Sequence, residues 1–259
     1  RRVGIDAIAE TAKQFGIASN IAIPVSAISK GLMPTKTWKS ETFGQRWLTG
    51  DTLNAGIGQG YILTTPIQLT LMTARIATGN LIIPKLINAM NGVQALNQKF
   101  QKLDIPERVL REIRNGMAAA VNDRDGTGYK SRIIDKDYRL AGKTGTAQVR
   151  RITSLEREEG VTKNENLPWE KRDHALFTGY APFNKPKYAV SVIVEHGGSG
   201  SRVAAPIARD ILLFAFHRGI PPLKAYPIKQ RKEMNFLFKS LKPHGTNGKQ
   251  NTIPRGTKT

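Results

Sequence analysis

Apolar residues recur along this chain with two different periods, and the change of period divides it. Over residues 3–16, Val3, Ile5, Ile8, Ala9, Ala12 and Phe15 fall at near-helical spacing, and Gly16 follows as a stop. Residues 17–60 lose that rhythm to Pro, Gly, Ser and Thr and read mostly as loop. Thr65-Pro66 opens a second helix with proline at its first position, and Gly79-Asn80 closes it. Residues 81–89, apolar and β-branched around Pro84, predict a short strand. Pro106 opens a third helix whose Val109, Leu110, Ile113, Met117, Ala120 and Val121 form one stripe.

After the glycine-rich turn Asp125-Gly126-Thr127-Gly128 the period shortens. Arg139 to Val149 has strand character, and residues 150–173, with twelve charged side chains in twenty-four, read as a solvated loop or hairpin. His174 to Phe183 and Lys187 to Glu195 predict a hairpin joined at Asn184-Lys185-Pro186, with Tyr188, Val190, Val192 and Val194 on one face. Gly197-Gly198 ends it, and a last helix from about Val203 to Phe216 is expected to bury Ile207, Ile211 and Ala215. Helices, then antiparallel strands, then a helix make an α+β fold with the sheet packed by helices. Past Pro221-Pro222 the composition turns basic and polar. The expected organisation is therefore a body over 1–220 and a poorly ordered tail over 221–259.

Composition removes several chemistries. No cysteine is present, which excludes disulfides, thiolate zinc sites and cysteine nucleophiles. The four histidines, His174, His196, His217 and His244, form no H-E-x-x-H pair, so neither metal nor cofactor is expected. The longest apolar run, Ile211 to Phe216, is far short of the roughly 20 residues a membrane helix needs. A net charge of +20 suits nucleic acid, anionic lipid or an anionic wall polymer. Residues 224–259 carry nine lysines and arginines against one acid. The basic residues lack interleaved aromatics and any nucleic-acid module, so no nucleic-acid partner is expected.

The chemistry concentrates in Ala141-Gly142-Lys143-Thr144-Gly145-Thr146-Ala147. A phosphate loop would need glycine at position 137, where Asp137 stands, and a long helix after Thr144. The other reading is the Lys-Thr-Gly strand of serine acyltransferases that react with penicillin. On the edge of a cleft, such a strand can offer Lys143, the catalytic candidate, as a positive charge near a nucleophile. Thr144 and Thr146 offer hydroxyls to a substrate carboxylate, and Gly145 allows close approach. A backbone N–H of the strand, that of Thr146, helps hold an oxyanion.

The surrounding segments resemble the elongation-type penicillin-binding transpeptidases, the penicillin-binding protein 2 family. In order they are Trp47 with Gly50-Asp51-Thr52, Gly56-Ile57-Gly58-Gln59-Gly60-Tyr61, Thr65-Pro66-Ile67-Gln68-Leu69, Gly126-Thr127-Gly128, the Ala141 to Gln148 stretch, Asp173-His174-Ala175-Leu176-Phe177 with Gly179-Tyr180-Ala181-Pro182, and Glu195-His196-Gly197-Gly198. Bland roles are expected for most of these: the Gly56–Tyr61 run as a turn packed near the cleft, His174 as a hydrogen-bonded structural histidine, and Glu195 and His196 as surface or strand-end residues.

The resemblance implies peptidoglycan crosslinking through an acyl-serine, with stem peptide and β-lactams as ligands. It also implies elongation-complex membrane proteins as partners and a location at the periplasmic face of the inner membrane. The family's S-x-x-K and S-x-N motifs do not occur in these 259 residues. The resemblance places both upstream, so their absence is expected to reflect truncation, with the N-terminal portion of the same protein as a further partner. The chain itself has neither anchor nor signal sequence. Alone, it is expected to be inactive and marginally stable. The alternative is a catalytically dead fragment that binds wall peptide or a partner protein.

Overall fold

The computed structural model describes residues 3–25, 28–87, 89–91, 93–94, 99–150 and 152–241. Its centre is a three-stranded antiparallel sheet in the order β3-β4-β5, from β3 (Ala141–Ala147), β4 (His174–Ala181) and β5 (Tyr188–Val194). Directly opposed residues in such a ladder share a face. Phe177 and Val192 point into one core with Leu212 and Leu213 of α7 (Ala205–His217). Ala141, Tyr180 and Ala189 point into the other, with Ile76 of α4 (Pro66–Thr78) and Leu110 and Met117 of α5 (Glu107–Asn122). The sheet is thus sandwiched between helices, the expected α+β arrangement.

The second and third helices form where proline, glycine and stripe placed them. Thr65 Oγ1 accepts from the Gln68 N–H at 3.3 Å while Gln68 Oε1 accepts from the Thr65 N–H at 3.2 Å, and left-handed Gly79 ends α4. Gln68 is buried. Its amide also donates to Lys30 O at 2.8 Å and Ser19 O at 3.2 Å, so one side chain caps the helix and pins the preceding loop. The first helix, α1 (Ile5–Gln14), buries Ile5 and Ala9 in a third, smaller cluster with Met33 and Ala55.

The described residues of 17–60 are mostly loop, as expected, but two short helices interrupt them. These are α2 (Lys36–Phe43), capped by the Thr35 hydroxyl at 3.0 Å from the Trp38 N–H, and α3 (Thr49–Gly56), whose Asp51 accepts from the Leu48 N–H at 2.8 Å. Each has eight residues and little apolar periodicity, so capping chemistry and packing decide them rather than a stripe. The strand expected over 81–89 is displaced: a two-stranded ribbon joins β1 (Ala89–Met90) to β2 (Val93–Gln94), with Asn88 outside the described residues. The charged stretch 150–173 folds into α6 (Ser154–Glu159) and short turns.

The last helix faces the other way from expectation. Ile207 and Ile211 are 41% and 49% exposed and Ala215 is exposed, while Ala204, Ala205, Ala208, Leu212 and Leu213 are buried. Small alanines let the helix lie close to the sheet, and bulk alone misjudged the face. The tail is corrected as well. Residues 221–241 pack on the main core through Ala225, Tyr226 and Met234, with α8 (Arg231–Ser240) closing it. Buried Arg209 donates to Gln230 Oε1 at 2.5 Å and stacks on Tyr226, and Gln230 donates to Lys130 O at 2.7 Å. Residues 242–259 lie outside the described residues. No described helix is long and apolar enough to cross a membrane.

Candidate active site

Strand β3 occupies one margin of the sheet, and among the described residues no strand lies on its outer side. Its register sorts the candidate residues. Lys143 opposes Thr178, whose Oγ1 is 2.6 Å from Thr73 Oγ1 of α4 and 2.8 Å from Ser191 Oγ of β5. Lys143 and Gly145 therefore belong to the face covered by α4 and α5. Thr144 opposes the core residue Phe177, so Thr144 and Thr146 belong to the α7 face. Because the strand is an edge, groups from both faces meet along its free rim. The four residues are together on one strand, with Lys143 and the two hydroxyls approaching from opposite sides.

Lys143 is exposed and its Nζ donates to Thr144 O at 2.6 Å. Thr144 Oγ1 lies 2.8 Å from Thr127 Oγ1, so the Gly126-Thr127-Gly128 turn is a neighbour of the Lys-Thr-Gly strand. That turn is held against the end of α5. The Gly128 N–H donates to Ala120 O at 2.8 Å, and a side chain on Gly126 would come within 2.6 Å of the Ala119 and Ala120 carbonyl oxygens. Only glycine fits there, and the fit delivers the Thr127 hydroxyl to the rim.

The α7 face behind the strand is closed by the π-helical turn Gly200–Ala204. The side chain of Leu176 points to the α4 face and its partner Gly145 has none, leaving bare backbone on the other side. Gly200 lies flat on that backbone. A Cβ built there would be 2.3 Å from both Gly145 O and Leu176 O. In the sequence, Thr127 is marked only by its Gly-Thr-Gly turn and Gly200 only by the Gly-Gly-Ser-Gly run that contains it.

His174 is structural, as expected: its Nδ1 accepts from the His196 N–H at 2.9 Å. His196 is left-handed at φ 54, packs at a tilt against Trp169 with ring centroids 4.5 Å apart, and places its Nδ1 3.0 Å from Arg172 O. It is therefore a half-buried corner residue rather than a surface one, while Glu195 is exposed. The Gly56–Tyr61 run forms a turn in which Tyr61 packs on Trp38 and Phe43. Beneath it Lys39, only 3% exposed, sits 5.8 Å from the Trp47 and Tyr61 rings and donates to Asp51 at 2.5 Å. Burial raises the Asp51 pKa, yet the hydrogen bonds from Lys39 and the Leu48 N–H outweigh it and hold the carboxyl below its ordinary 3.8. No cluster of metal-ligating side chains exists among the described residues.

Residues 1–213 match the penicillin binding protein transpeptidase domain. The chain belongs to that family. Among curated transpeptidases it is 35% identical over 241 residues to the peptidoglycan D,D-transpeptidase MrdA of Haemophilus influenzae, covering 90% of this chain and 36% of that protein. Against MrdA of Escherichia coli K12 the identity is 34%, covering 81% of this chain and 33% of the relative. The penicillin-binding protein 2 (PBP2) structure from Pseudomonas aeruginosa in complex with WCK 5153 superposes with a TM-score of 0.69 at 33% identity, covering 90% of this chain and 48% of that one. PBP2 of Helicobacter pylori in complex with MreC gives 0.68 at 30% identity, with 84% and 36% covered. The chain thus spans about a third of the length of the curated relatives it matches.

Proposed function

We propose that this chain forms the Lys-Thr-Gly wall of a peptidoglycan D,D-transpeptidase site. Lys143 supplies positive charge near the reacting centre, Thr144 and Thr146 take the terminal carboxylate of a D-alanyl-D-alanine stem peptide, and Gly145 gives it room. The Thr146 N–H serves the oxyanion. The observation that carries the reading is an Ala-Gly-Lys-Thr-Gly-Thr-Ala strand at a free sheet edge, its Thr144 hydroxyl already oriented by Thr127. An edge strand can align an extended peptide by backbone pairing while alternate side chains select it.

The serine nucleophile and its lysine base come from polypeptide outside these 259 residues, which contain neither S-x-x-K nor S-x-N. In the assembled enzyme the serine attacks the peptide carbonyl, D-alanine leaves, and an amine of a second stem resolves the acyl-serine. β-Lactams acylate the same serine. The MrdA relatives and the PBP2 neighbours support this chemistry, and the H. pylori complex supports a partner of the MreC kind; a place at the periplasmic face of the inner membrane belongs to the same proposal, by family resemblance.

A fluorescent penicillin tests the reading, with intact mass locating the adduct. The full-length protein should be labelled at a serine outside this chain. Lys143→Ala should slow acylation by a factor on the order of a hundred, as for loss of a positioned electrostatic group. Labelling of a residue within 1–259 would overturn the assignment of the nucleophile. Absence of labelling in a folded full-length protein would instead leave the reading of a peptide-binding remnant.

A further inference from the structure

At the end of the sheet where β3 leaves and β4 enters lies a cavity of about 420 Å³, within the size range of roughly 300–1,000 Å³ of small-ligand sites. Its wall carries three cations, Lys163, Arg172 and Arg202, against one carboxylate, Glu165. Glu165 accepts a hydrogen bond from Arg202, so it is spoken for. Arg172 is anchored by its Nε, which donates to Leu167 O at 3.0 Å. Among the described residues, neither its terminal nitrogens nor the Lys163 ammonium has a hydrogen-bond or ion-pair partner.

The cavity is built rather than incidental. Asn164 Nδ2 donates to Asp173 Oδ2 at 2.9 Å, the Asp173 N–H returns to Asn164 Oδ1 at 2.8 Å, and the Gly198 N–H donates to Asp173 O at 2.8 Å. These bonds tie the 163–165 turn to the start of β4 and to the glycine corner after β5. The wall is also continuous with the candidate active site. Ser199 lines the cavity, and Gly200, the next residue and about 3.8 Å along the chain, rests on the Gly145 backbone.

We infer that this cavity is a second carboxylate subsite, taking a side carboxylate of an acidic peptide whose terminal carboxylate lies at the β3 rim. The inference rests on the proposed transpeptidase reading and extends it. The reading alone places a single carboxylate at Thr144 and Thr146; the cavity adds selection for a peptide that carries another. Two unpaired cations at a half-enclosed wall favour an anion, and an extended peptide paired along an edge strand projects alternate side chains toward the helix-covered faces.

The test uses the full-length protein and calorimetric titration with a synthetic D-alanyl-D-alanine pentapeptide bearing side carboxylates. A second peptide has those carboxylates amidated and its terminus kept. Lys163→Gln combined with Arg172→Gln, which removes the two unpaired cations, should weaken the acidic peptide about five- to tenfold and leave the amidated one unchanged. Glu165→Gln should tighten the acidic peptide, an effect that a merely structural role would not produce. Equal affinity of the acidic peptide for parent and double variant, or equal weakening of both peptides, would overturn the subsite. Failure of the underlying reading is separate: it would show as no β-lactam acylation of the unsubstituted protein.

Discussion

Gly200 offers the sharpest way to ask whether the candidate strand is held from behind. In Gly200→Ala the new Cβ would sit 2.3 Å from Gly145 O, 2.3 Å from Leu176 O and 3.0 Å from Gly145 N. Ordinary carbon–oxygen contacts begin near about 3.3 Å, so each carbonyl must retreat by roughly 1 Å. The two oxygens belong to residues opposed across the β3–β4 ladder and cannot swing aside as a flexible side chain would. Either the π-helical turn lifts from the sheet or the Lys-Thr-Gly strand moves. Overpacking of this kind costs about 1–3 kcal/mol, which is roughly 2–4 °C of melting temperature per kcal/mol at this size. If the strand takes up the shift, a misplacement of about 1 Å at reacting groups costs on the order of a hundredfold in rate. The assay is calorimetric Tm together with the rate of acylation by a fluorescent β-lactam, both on the full-length protein. Gly116→Ala is the internal comparison. Gly116 lies within α5 with no atom within 4 Å of the added methyl, and the change should stabilise by about 0.5–1 kcal/mol. A Gly200→Ala protein with parental Tm and acylation rate would refute the argument.

Thr127→Val keeps the shape of the side chain but removes the hydroxyl 2.8 Å from Thr144; affinity for a D-alanyl-D-alanine peptide, read by calorimetry, should fall about three- to tenfold. Lys39→Met should cost about 3 kcal/mol by equilibrium unfolding, because it strands Asp51 beside an aromatic cage. Asp51 also sets a pH dependence: its folded pKa is depressed, so its contribution is present above 3.8 and lost as pH falls through and below that value. A Tm–pH profile over acid pH should therefore flatten in Lys39→Met/Asp51→Asn. Tyr180→Phe removes a buried hydroxyl that has no hydrogen-bond partner among the described residues and whose pKa burial pushes up to about 12. The raised value makes folding lose stability as pH climbs from about 10 towards 12, so the phenylalanine variant should match or exceed the parent at pH 7 and resist alkali better in denaturant titrations.

What could be read from the sequence follows from which interactions are local. Thr65, Pro66, Gln68 and Gly79 delimit α4 because capping is settled within four residues. The β4–β5 hairpin and the β3 motif were equally legible, since alternation and a seven-residue match need no tertiary knowledge. The failures share one cause. α2 and α3 carry little stripe of their own and exist because Trp38, Trp47 and Tyr61 close around Lys39. On α7 the largest residues, Ile207 and Ile211, lie outside, since contact with the sheet is made by alanines that permit close approach. Basic composition made 221–241 look like tail, but a few residues, Ala225, Tyr226 and Met234, suffice to dock it. At the site, Lys143 through Thr146 were found by motif, whereas the Thr127 contact spans 17 residues and the Gly200 contact more, beyond any local pattern.

The same long-range contacts change how the charge of +20 should be understood. Many of its cations are occupied inside the fold, on backbone carbonyls that would otherwise lack partners. Arg75 donates to Gln14 O at the end of α1 and to Ile82 O, and its burial lowers its pKa below the ordinary arginine value. Arg114 donates to Ile76 O in the last turn of α4, and Arg231 to Tyr226 O and Lys224 O. The carbonyls that close a helix have no intrahelical donors, and a guanidinium supplies several at once. Such residues add to the formal charge but are committed to the fold, so net charge overstates the pull on an outside anion. The cations that matter for a ligand are those left over in concave places, and Lys163 and the far end of Arg172 are of that kind. The proposed subsite therefore predicts capture of carboxylates at a point, the pattern of a peptide site, rather than of polyanions along a stripe.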